Sequence, residues 1–282
     1  MSERVLLAGC GDLGERVARR LLARGDTVFA LRRHPPAHSV DGITWLAGDM
    51  TQPSRLPSLP PGITQLVHLP TPGARAAAAY RAVFVGGLRH VIAALDAAAL
   101  KRVLFVSSTA VYGEAGGAWV DEDTPPDPPG FNGAVLWEAE RWLAAQPFTG
   151  IALRLAGLYG PGRLQLIERL RARAASVPRA QTHWSNRIHV EDAAAAIAHL
   201  LALSDPQALY IGADDTPLPI DVLYDHLAAL AGAPRPAEGP APTGIGSKRL
   251  SNARLRASGW APRWPDARDG YAALLAGEPG VA

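Results

Sequence analysis

Short apolar runs alternate with longer amphipathic stretches along the first half of the chain. The runs predict buried strands over residues 5–8, 27–31, 43–47, 66–69, 102–106 and 151–155. The intervening stretches predict helices over residues 13–23, 75–100 and 135–145. Continuous apolar strands that alternate with helices are typical of a parallel sheet whose two faces are both covered. The pattern therefore predicts an α/β fold with a doubly wound parallel sheet.

Composition narrows the classes of function. The 282 residues are 48% hydrophobic and 19% charged, which predicts a folded chain with a sizeable core. The net charge is +2 and the arginines are scattered, so we expect neither nucleic-acid binding nor a polybasic membrane patch. The single cysteine, Cys10, excludes an internal disulfide and is interpreted as a buried packing residue. No apolar stretch approaches the roughly 18 residues of a membrane span, and no leader is readable, so we expect a cytoplasmic protein.

A glycine-rich turn follows the first predicted strand. Gly9, Gly11 and Gly14 have the spacing G-x-G-x-x-G, and the turn runs directly into the first predicted helix. In that context the first glycine allows a tight turn, the second lets the backbone approach a pyrophosphate, and the third lets helix and strand pack closely. The free amide groups at the start of the helix, around Asp12 and Leu13, would face the phosphates. The motif predicts a Rossmann-type dinucleotide site.

The residues after the second predicted strand indicate which dinucleotide binds. An acidic residue there would hold the ribose 2′-hydroxyl of NAD. This strand instead ends in Arg32 and Arg33, with no carboxylate before Asp41. Two guanidinium groups suit a 2′-phosphate, because each offers a planar set of donors and a permanent charge. We therefore predict NADP(H), with NAD as the alternative if both arginines are ordinary surface residues.

The ends of the next three strands supply further candidate cofactor contacts. Asp49, followed by Met50, ends the third strand and could accept a hydrogen bond from the adenine amine, or could be a turn residue. Leu69 and Pro70 end the fourth strand, and Ser107 follows the fifth. Because ligands of open α/β sheets bind outside the carboxyl ends of the strands, we expect these residues at one site.

The second half of the chain has a less regular pattern. Residues 116–133 are rich in Pro, Asp and Gly and predict a long loop. A helix over 189–203, a strand over 209–212 and a helix over 220–231 follow, and then a Pro- and Gly-rich stretch over 232–246. We predict two domains, which are an NADP-binding Rossmann domain over 1–157 with 186–213 returning to it, and a smaller substrate-binding lobe over 158–185 and 214–282.

Three later segments carry a family resemblance. Residues 107–113 read SSTAVYG, residues 154–162 read RLAGLYGPG, and residues 187–192 read RIHVED. Together with the glycine turn, and in the same order, they resemble landmarks of the extended short-chain dehydrogenase/reductases, the NAD-dependent epimerase/dehydratase family. The C-terminal stretch from Lys248-Arg249 to Gly259-Trp260 resembles the atypical, YeeZ-like branch of that family. The resemblance covers nearly the whole chain and implies a Rossmann-type fold.

The resemblance also implies part of a catalytic apparatus. In the family, a Ser or Thr four residues before the VYG tyrosine polarises the substrate oxygen. Ser108 has that position here, and Thr109 beside it is a second candidate. The family moves the proton with a Tyr whose pKa is lowered by a Lys four residues later, since a free phenol is a poor base at neutral pH.

That Tyr–Lys pair is missing from this sequence. Asn132 and Leu136 stand at the two positions, and Val83 stands where the family has a structural Asn. The failure does not depend on the alignment, because Lys101 and Lys248 are the only lysines and neither follows a Tyr by four residues.

Tyr112, Tyr159 and His68 remain as candidate proton carriers. For the two tyrosines the alternative is packing, and for His68 it is a hydrogen-bonded place in the core. From Arg154 to Arg187 there are seven arginines and one acidic residue, which could attract an anionic substrate or could form the solvated face of a helix. The histidines lack metal-ligand spacing, so we expect no metal.

Two hypotheses of function follow. The first is an NADP(H)-dependent oxidoreductase, epimerase or dehydratase that acts on a small polar metabolite, anionic or a sugar nucleotide, with non-standard acid–base residues. The second, motivated by the missing Tyr and Lys, is a non-catalytic protein that senses NADP(H) or serves as a scaffold. The resemblance further implies a homodimer that pairs through the helix predicted over 75–100.

Overall fold

The computed structural model describes residues 2–37 and 40–277, and the chain divides into two compact units. The first unit comprises the chain up to Val111 together with Gly130–Arg154 and Ala194–Tyr210. The second comprises Tyr112–Pro129, Leu155–Ala193 and the chain from Ile211 onward.

Strands of two to seven residues run through both units. In chain order they are β1 (Arg4–Ala8), β2 (Thr27–Arg32), β3 (Ile43–Ala47), β4 (Gln65–His68), β5 (Arg102–Ser108), β6 (Trp119–Val120), β7 (Thr149–Leu155), β8 (Gly157–Tyr159), β9 (Ser176–Val177), β10 (Trp184–Ser185), β11 (Arg187–His189), β12 (Leu209–Gly212), β13 (Leu218–Pro219), β14 (Ala237–Glu238) and β15 (Arg249–Leu250).

The α-helices are, in chain order, α1 (Asp12–Ala23), α2 (Ala77–Tyr80), α3 (Leu88–Ala93), α4 (Phe131–Ala144), α5 (Gln165–Arg171), α6 (Val190–Ala202), α7 (Ile220–Leu230), α8 (Ala253–Ala257) and α9 (Ala267–Ala276). A π-helical segment, Arg81–Gly87, joins α2 to α3, and 3-10 turns occupy Pro53–Arg55 and Thr109–Val111. In the described part of the chain no helix is long and apolar enough to cross a bilayer.

A seven-stranded sheet in the order β12-β7-β5-β4-β1-β2-β3 carries the fold. The pairs β1–β2, β1–β4, β2–β3 and β4–β5 are all parallel. The apolar run Val5-Leu6-Leu7-Ala8 is fully buried, as expected for a strand covered on both faces. The predicted α/β fold with a parallel sheet is therefore confirmed. The strand order reverses at β1, so the carboxyl ends of β1 and β4 flank the crevice in which such sheets bind ligands.

Helix α1 follows its sequence pattern closely. Leu13, Val17 and Leu21 recur at intervals of four and are buried, which gives the helix one apolar face. Its first turn is acidic and its last turn basic, as the helix dipole favours. Gly25, with a φ of 90°, lets the chain leave the helix for β2.

The helix predicted over 75–100 is shorter and less regular than expected. It ends at Ala93, and beyond it the Asp96 carboxylate accepts a hydrogen bond from the Ala98 amide (3.0 Å), which favours a turn over continued helix. Its middle is π-helical. There Gly87 lies so close to Met50 that a Cβ would come within 2.9 Å of the methionine Cγ.

The second unit is built from short paired strands and its own core. Its ribbons are β6–β15, β8–β11, β9–β14 and β10–β13. Its largest fully buried side chains include Tyr159 and Tyr271, whose rings stack with centroids 4.3 Å apart. The expected boundaries differ from these units, because pairing with β15 draws residues 112–129 into the second unit and pairing with β8 draws residues 186–193 there.

Candidate cofactor site

A pocket of about 350 Å³ lies at the carboxyl ends of β1, β2, β3 and β4. It brings together seven residues predicted from the sequence, which are Gly9, Gly11, Arg32, Arg33, Asp49, Met50 and Pro70. Its wall also includes His34, Thr51 and Val83, which sequence reasoning did not assign to a cofactor. His34 directly follows the two arginines, so the basic run is one residue longer than expected.

The three glycines of the turn are needed for different reasons. Gly9 has a φ of 88°, and a Cβ there would collide with the ring of Pro70. A Cβ on Gly14 would lie 2.7 Å from the Cys10 Sγ. Gly11 has an ordinary extended conformation, and a Cβ there would meet no atom within 4 Å. The chain itself therefore does not require Gly11, whereas a pyrophosphate lying against the backbone would.

The first turn of α1 offers backbone donors to this open space. Gly11 is the N-cap and no side chain caps the helix. The amides of the first helical turn have no intrahelical acceptor, and the helix dipole places partial positive charge there. Asp12, Leu13 and Gly14 would thus contribute amides rather than side chains. The Asp12 carboxylate is paired with Arg16 at 2.9 Å.

Arg32 and Arg33 are exposed and keep their charges available. Neither forms an ion pair with another residue in the described part of the chain. The guanidinium groups line the same pocket as the glycine turn. This arrangement fits an anionic group bound beside β2.

Asp49 is a turn residue and also part of the pocket wall. Its Oδ1 accepts hydrogen bonds from the Thr51 amide (2.9 Å) and the Thr51 hydroxyl (2.7 Å). Partial burial acts to raise the pKa of Asp49, but these hydrogen bonds and the charges of Arg33 and Arg55 outweigh it and lower the pKa. The residue is therefore a carboxylate at neutral pH, with Oδ2 as an open acceptor.

Cys10 and Leu69 form the packing behind the turn. Cys10 is fully buried, and this burial raises the pKa of its thiol to about 12. The thiol is therefore neutral and inert, which confirms the prediction that it is a packing residue. Leu69 is 8% exposed and packs beside Gly14, so its side chain supports the turn rather than the pocket.

Ser107 and Ser108, at the end of β5, differ in how their hydroxyls are hydrogen-bonded. The Ser107 hydroxyl is buried and donates to the Glu140 carboxylate (2.5 Å), which is also bound by Arg154 at 2.6 Å. Ser107 does not line the pocket, so its hydroxyl has a structural role rather than the predicted cofactor contact. The half-buried Ser108 Oγ accepts from the Ala110 amide (3.2 Å). Its own proton has no acceptor in the described residues, and so remains available; Thr109 follows it, half-buried.

The three candidate proton carriers are all buried in the fold. The Tyr112 ring is buried and its hydroxyl donates to the Asp121 carbonyl (2.8 Å). Tyr159 is fully buried, which raises the pKa of its phenol above the usual range. His68 is fully buried and bonds the Val83 carbonyl through Nε2 (3.1 Å), and its burial lowers the pKa to about 3. These contacts favour the packing and core alternatives for all three.

Helix α4 presents no proton-transfer group at the positions where the family has Tyr and Lys. The helix begins at Phe131, four residues before the predicted start, so Asn132 lies in its first turn. Leu136 is 4% exposed and packs in the core. Neither side chain can exchange a proton at neutral pH.

Lys248 is a buried ammonium that sequence reasoning did not place. It is 4% exposed, and its Nζ donates to the carbonyls of Tyr112 (3.2 Å), Gly113 (3.3 Å) and Gly246 (3.2 Å). Three acceptors match the three protons of an ammonium. Burial lowers the pKa of Lys248, and the charge of the nearby Glu114 offsets only part of this effect. The sequence held no local signal for the contacts with Tyr112 and Gly113, because these two partners lie about 135 residues from Lys248.

The chain was compared with known proteins and structures. The model of the NAD dependent epimerase/dehydratase family matches residues 5–212. Protein YeeZ of Escherichia coli K12 is 38% identical over 138 residues, and this match spans about half of each protein (49% of this chain, 48% of the relative). A 3-diazoavenalumate denitrifying reductase of a Streptomyces species is 29% identical over 95% of this chain and 98% of its own length.

A solved structure from Methylobacillus flagellatus, assigned to the NAD-dependent epimerase/dehydratases, is 41% identical. It superposes with a TM-score of 0.81 and covers 98% of this chain and 99% of its own. The similarity thus extends over both units as well as the glycine turn. The protein belongs to the NAD-dependent epimerase/dehydratase family, whose members are NAD(P)-binding oxidoreductases and epimerases.

Proposed function

We propose that this protein is an NADP(H)-dependent oxidoreductase that acts on a small polar metabolite. One observation carries the proposal: the pocket combines open space at Gly11 with two arginines after β2 that have no ion-pair partner in the described part of the chain. A dinucleotide needs the first feature, and its 2′-phosphate form needs the second.

The pocket residues divide the cofactor between them. The amides at the start of α1 would hold the pyrophosphate. Arg32 and Arg33, with His34 beside them, would hold the 2′-phosphate. The open Oδ2 of Asp49 would accept a hydrogen bond from the adenine amine. Bound there, NADP(H) supplies or accepts a hydride at its nicotinamide ring.

Ser108 would orient the substrate. Because its Oγ already accepts from the Ala110 amide, its hydroxyl proton is free to be donated to a carbonyl oxygen, which withdraws electron density from the carbon that takes the hydride. Thr109 offers a second hydroxyl. Because His68 and Tyr112 are hydrogen-bonded within the fold and Tyr159 is fully buried, the proton would come from solvent or from the substrate. The Streptomyces relative, by name a reductase, favours reduction among the family's reactions.

The cofactor preference is tested by binding. Titration of the wild-type protein with NADPH and NADH, followed by nicotinamide fluorescence, is expected to show tighter binding of NADPH. In the double variant Arg32→Ala/Arg33→Ala the Kd for NADPH should rise about 10- to 100-fold, because charge-assisted hydrogen bonds are lost. NADH binding should be unchanged. Arg19→Ala, an exposed arginine on α1, is the matched control. Equal affinities for both cofactors would overturn the preference.

The reaction is tested by hydride transfer. Single-turnover mixing with NADPH, and separately with NADP⁺, is followed by nicotinamide absorbance across ketones, hydroxy acids and sugar nucleotides. We expect turnover with a carbonyl substrate that Ser108→Ala slows. Tight NADPH binding without turnover on any class would overturn the oxidoreductase and favour a protein that senses NADP(H).

A further inference from the structure

Arg249 lies between two tryptophans in the second unit. Strands β6 and β15 pair in a register that sets Arg249 opposite Trp119. The guanidinium carbon lies 5.1 Å from the ring centroid of Trp119 and 5.0 Å from that of Trp184. Both distances fall within the range of cation–π attraction. These three side chains are named here the Trp–Arg–Trp stack.

The charge of Arg249 has no carboxylate partner among the residues that the structure describes. Its Nε donates to the Gly117 carbonyl (2.8 Å), which fixes the plane of the group. Its terminal nitrogens bond nothing else within residues 2–37 and 40–277. Several other arginines of this unit are paired with carboxylates, as Arg179 is with Asp225 (2.9 Å). Arg249 therefore presents open N–H donors from an anchored side chain.

An exposed aromatic surface adjoins those donors. Trp119 is 56% exposed, although a tryptophan buries more apolar area than most side chains when it packs. Ile245, near Arg249 in the chain, is 60% exposed. A single exposed apolar side chain needs no explanation. An exposed indole stacked on an unpaired guanidinium combines a flat apolar surface with a fork for a planar anion.

The backbone under the stack is held in place from several sides. Asn186 binds the backbone on both sides of Arg249: its Nδ2 donates to the Lys248 carbonyl (2.9 Å) and its Oδ1 accepts from the Leu250 amide (2.8 Å). Lys248, which directly precedes Arg249, donates from its buried ammonium to three backbone carbonyls. Glu114 accepts from the Ser247 amide (2.8 Å) rather than pairing with Arg249. A recognition group fixed in this way loses little entropy when it binds.

We infer that the Trp–Arg–Trp stack binds an aromatic carboxylate, with the carboxylate on the open donors of Arg249 and the ring against Trp119. The inference goes beyond the proposed function, because it assigns a ligand site within the second unit and does not depend on the cofactor pocket. An aromatic ring without charge would leave the guanidinium unpaired. A carboxylate without a ring would leave the indole exposed.

The test is binding of trans-cinnamate to the full chain, measured by saturation-transfer NMR and calorimetry. Two matched probes separate the contributions, since cinnamyl alcohol lacks the charge and cyclohexanecarboxylate lacks the aromatic ring. We expect both to bind at least tenfold more weakly than cinnamate. Equal binding of either probe would overturn the inference.

Variants locate the site. Arg249→Met and Trp119→Leu should each weaken cinnamate binding at least tenfold, whereas Arg249→Lys, which keeps the charge but not the fork, should weaken it less and preserve the fold. Arg141→Met is the matched control, because Arg141 stacks on Trp137 in the first unit (4.7 Å). Unchanged binding in Arg249→Met, or in Arg249→Lys if the first variant does not fold, would overturn the inference.

NADPH binding, measured on the same samples, separates the two proposals. If cinnamate does not bind while NADPH does, the aromatic-carboxylate site is overturned and the proposed function stands. If cinnamate binds at the stack while NADPH does not bind, the site stands and the proposed function is overturned.

Discussion

The ends of β1 and β5 belong to one sheet but use their polar groups in opposite ways. After β1, the glycine turn leaves amides and space unused, and the nearby arginines after β2 have no ion-pair partner among the described residues. After β5, the Ser107 hydroxyl is used up by its hydrogen bond to Glu140, which also binds Arg154, whereas the Ser108 hydroxyl proton has no acceptor among the described residues. The comparison shows that a polar residue at a strand end indicates function only if its hydrogen bonds and charge are not already paired within the protein.

The largest effect on stability is expected at the end of β5, where the polar groups are paired. Glu140→Ala would leave the buried Arg154 guanidinium without its carboxylate, and we expect the free energy of unfolding to fall by about 3–5 kcal/mol. Urea denaturation followed by circular dichroism measures this. The double variant Glu140→Leu/Arg154→Met, which removes both charges, should recover most of the loss. A loss below about 1 kcal/mol in the single variant would show that the pair does not hold this end of the sheet.

The open end is tested with two glycines of one turn. Gly11→Val should weaken NADPH binding about 100-fold, or about 2.7 kcal/mol, because the side chain fills the space meant for the pyrophosphate. Its unfolding free energy should change by less than about 1 kcal/mol, since the backbone conformation is ordinary. Gly9→Ala should show the reverse order, with stability as the main loss, because its φ is positive and Pro70 is in the way. Equal behaviour of the two variants would contradict this division.

The adjacent serines provide the sharpest contrast. Ser107→Ala removes a buried hydrogen bond to Glu140 and should lower the unfolding free energy by about 1.5 kcal/mol. Ser108→Ala should leave stability within about 0.5 kcal/mol and slow hydride transfer about tenfold, equivalent to about 1.4 kcal/mol. Denaturation and single-turnover rates of both variants are compared. A rate loss in Ser107→Ala equal to that in Ser108→Ala would remove the distinction.

The smallest effect concerns pH and the end of β4. His68 has a pKa of about 3 in the fold because it is buried, whereas an unfolded histidine titrates near 6.5. Between these values the unfolded chain binds more protons, so stability present above pH of about 6.5 is lost as the pH falls toward 3. We expect a loss of about 1 kcal/mol between pH of roughly 7 and 5.5. His68→Gln should flatten this slope, and an unchanged slope would assign the acid sensitivity to other groups.

Local patterns were enough to predict much of the first unit. The strand over 43–47 has the predicted bounds, and the glycine turn, Arg32, Arg33 and Asp49 meet at one pocket because strand ends in a parallel sheet share an edge. Which of the two serine hydroxyls is hydrogen-bonded within the fold could not be predicted in the same way. Whether Ser107 or Ser108 is open depends on Glu140, which lies 33 residues from Ser107.

The second unit shows where local patterns fail. Strands of two residues, such as β6 and β15, have no readable periodicity and are specified by partners about 130 residues away. The π-helical segment ends at Gly87, which packs closely on Met50, and composition does not reveal this contact. From the sequence, Lys248 is notable only because it does not follow a Tyr by four residues. In the structure its ammonium binds the carbonyls of the loop that follows β5.

The carbonyl cage around Lys248 has a consequence for chemical reactivity. Acylating reagents must reach the amine nitrogen, and that of Lys248 is buried and donates to three backbone carbonyls. The other lysine, Lys101, has a side chain that is 67% exposed. In the native protein, an amine-directed label should therefore modify Lys101 quickly and reach Lys248 only when the cage opens. The difference between the labelling rates of Lys101 and Lys248, measured by mass spectrometry, reports how often the second unit opens locally.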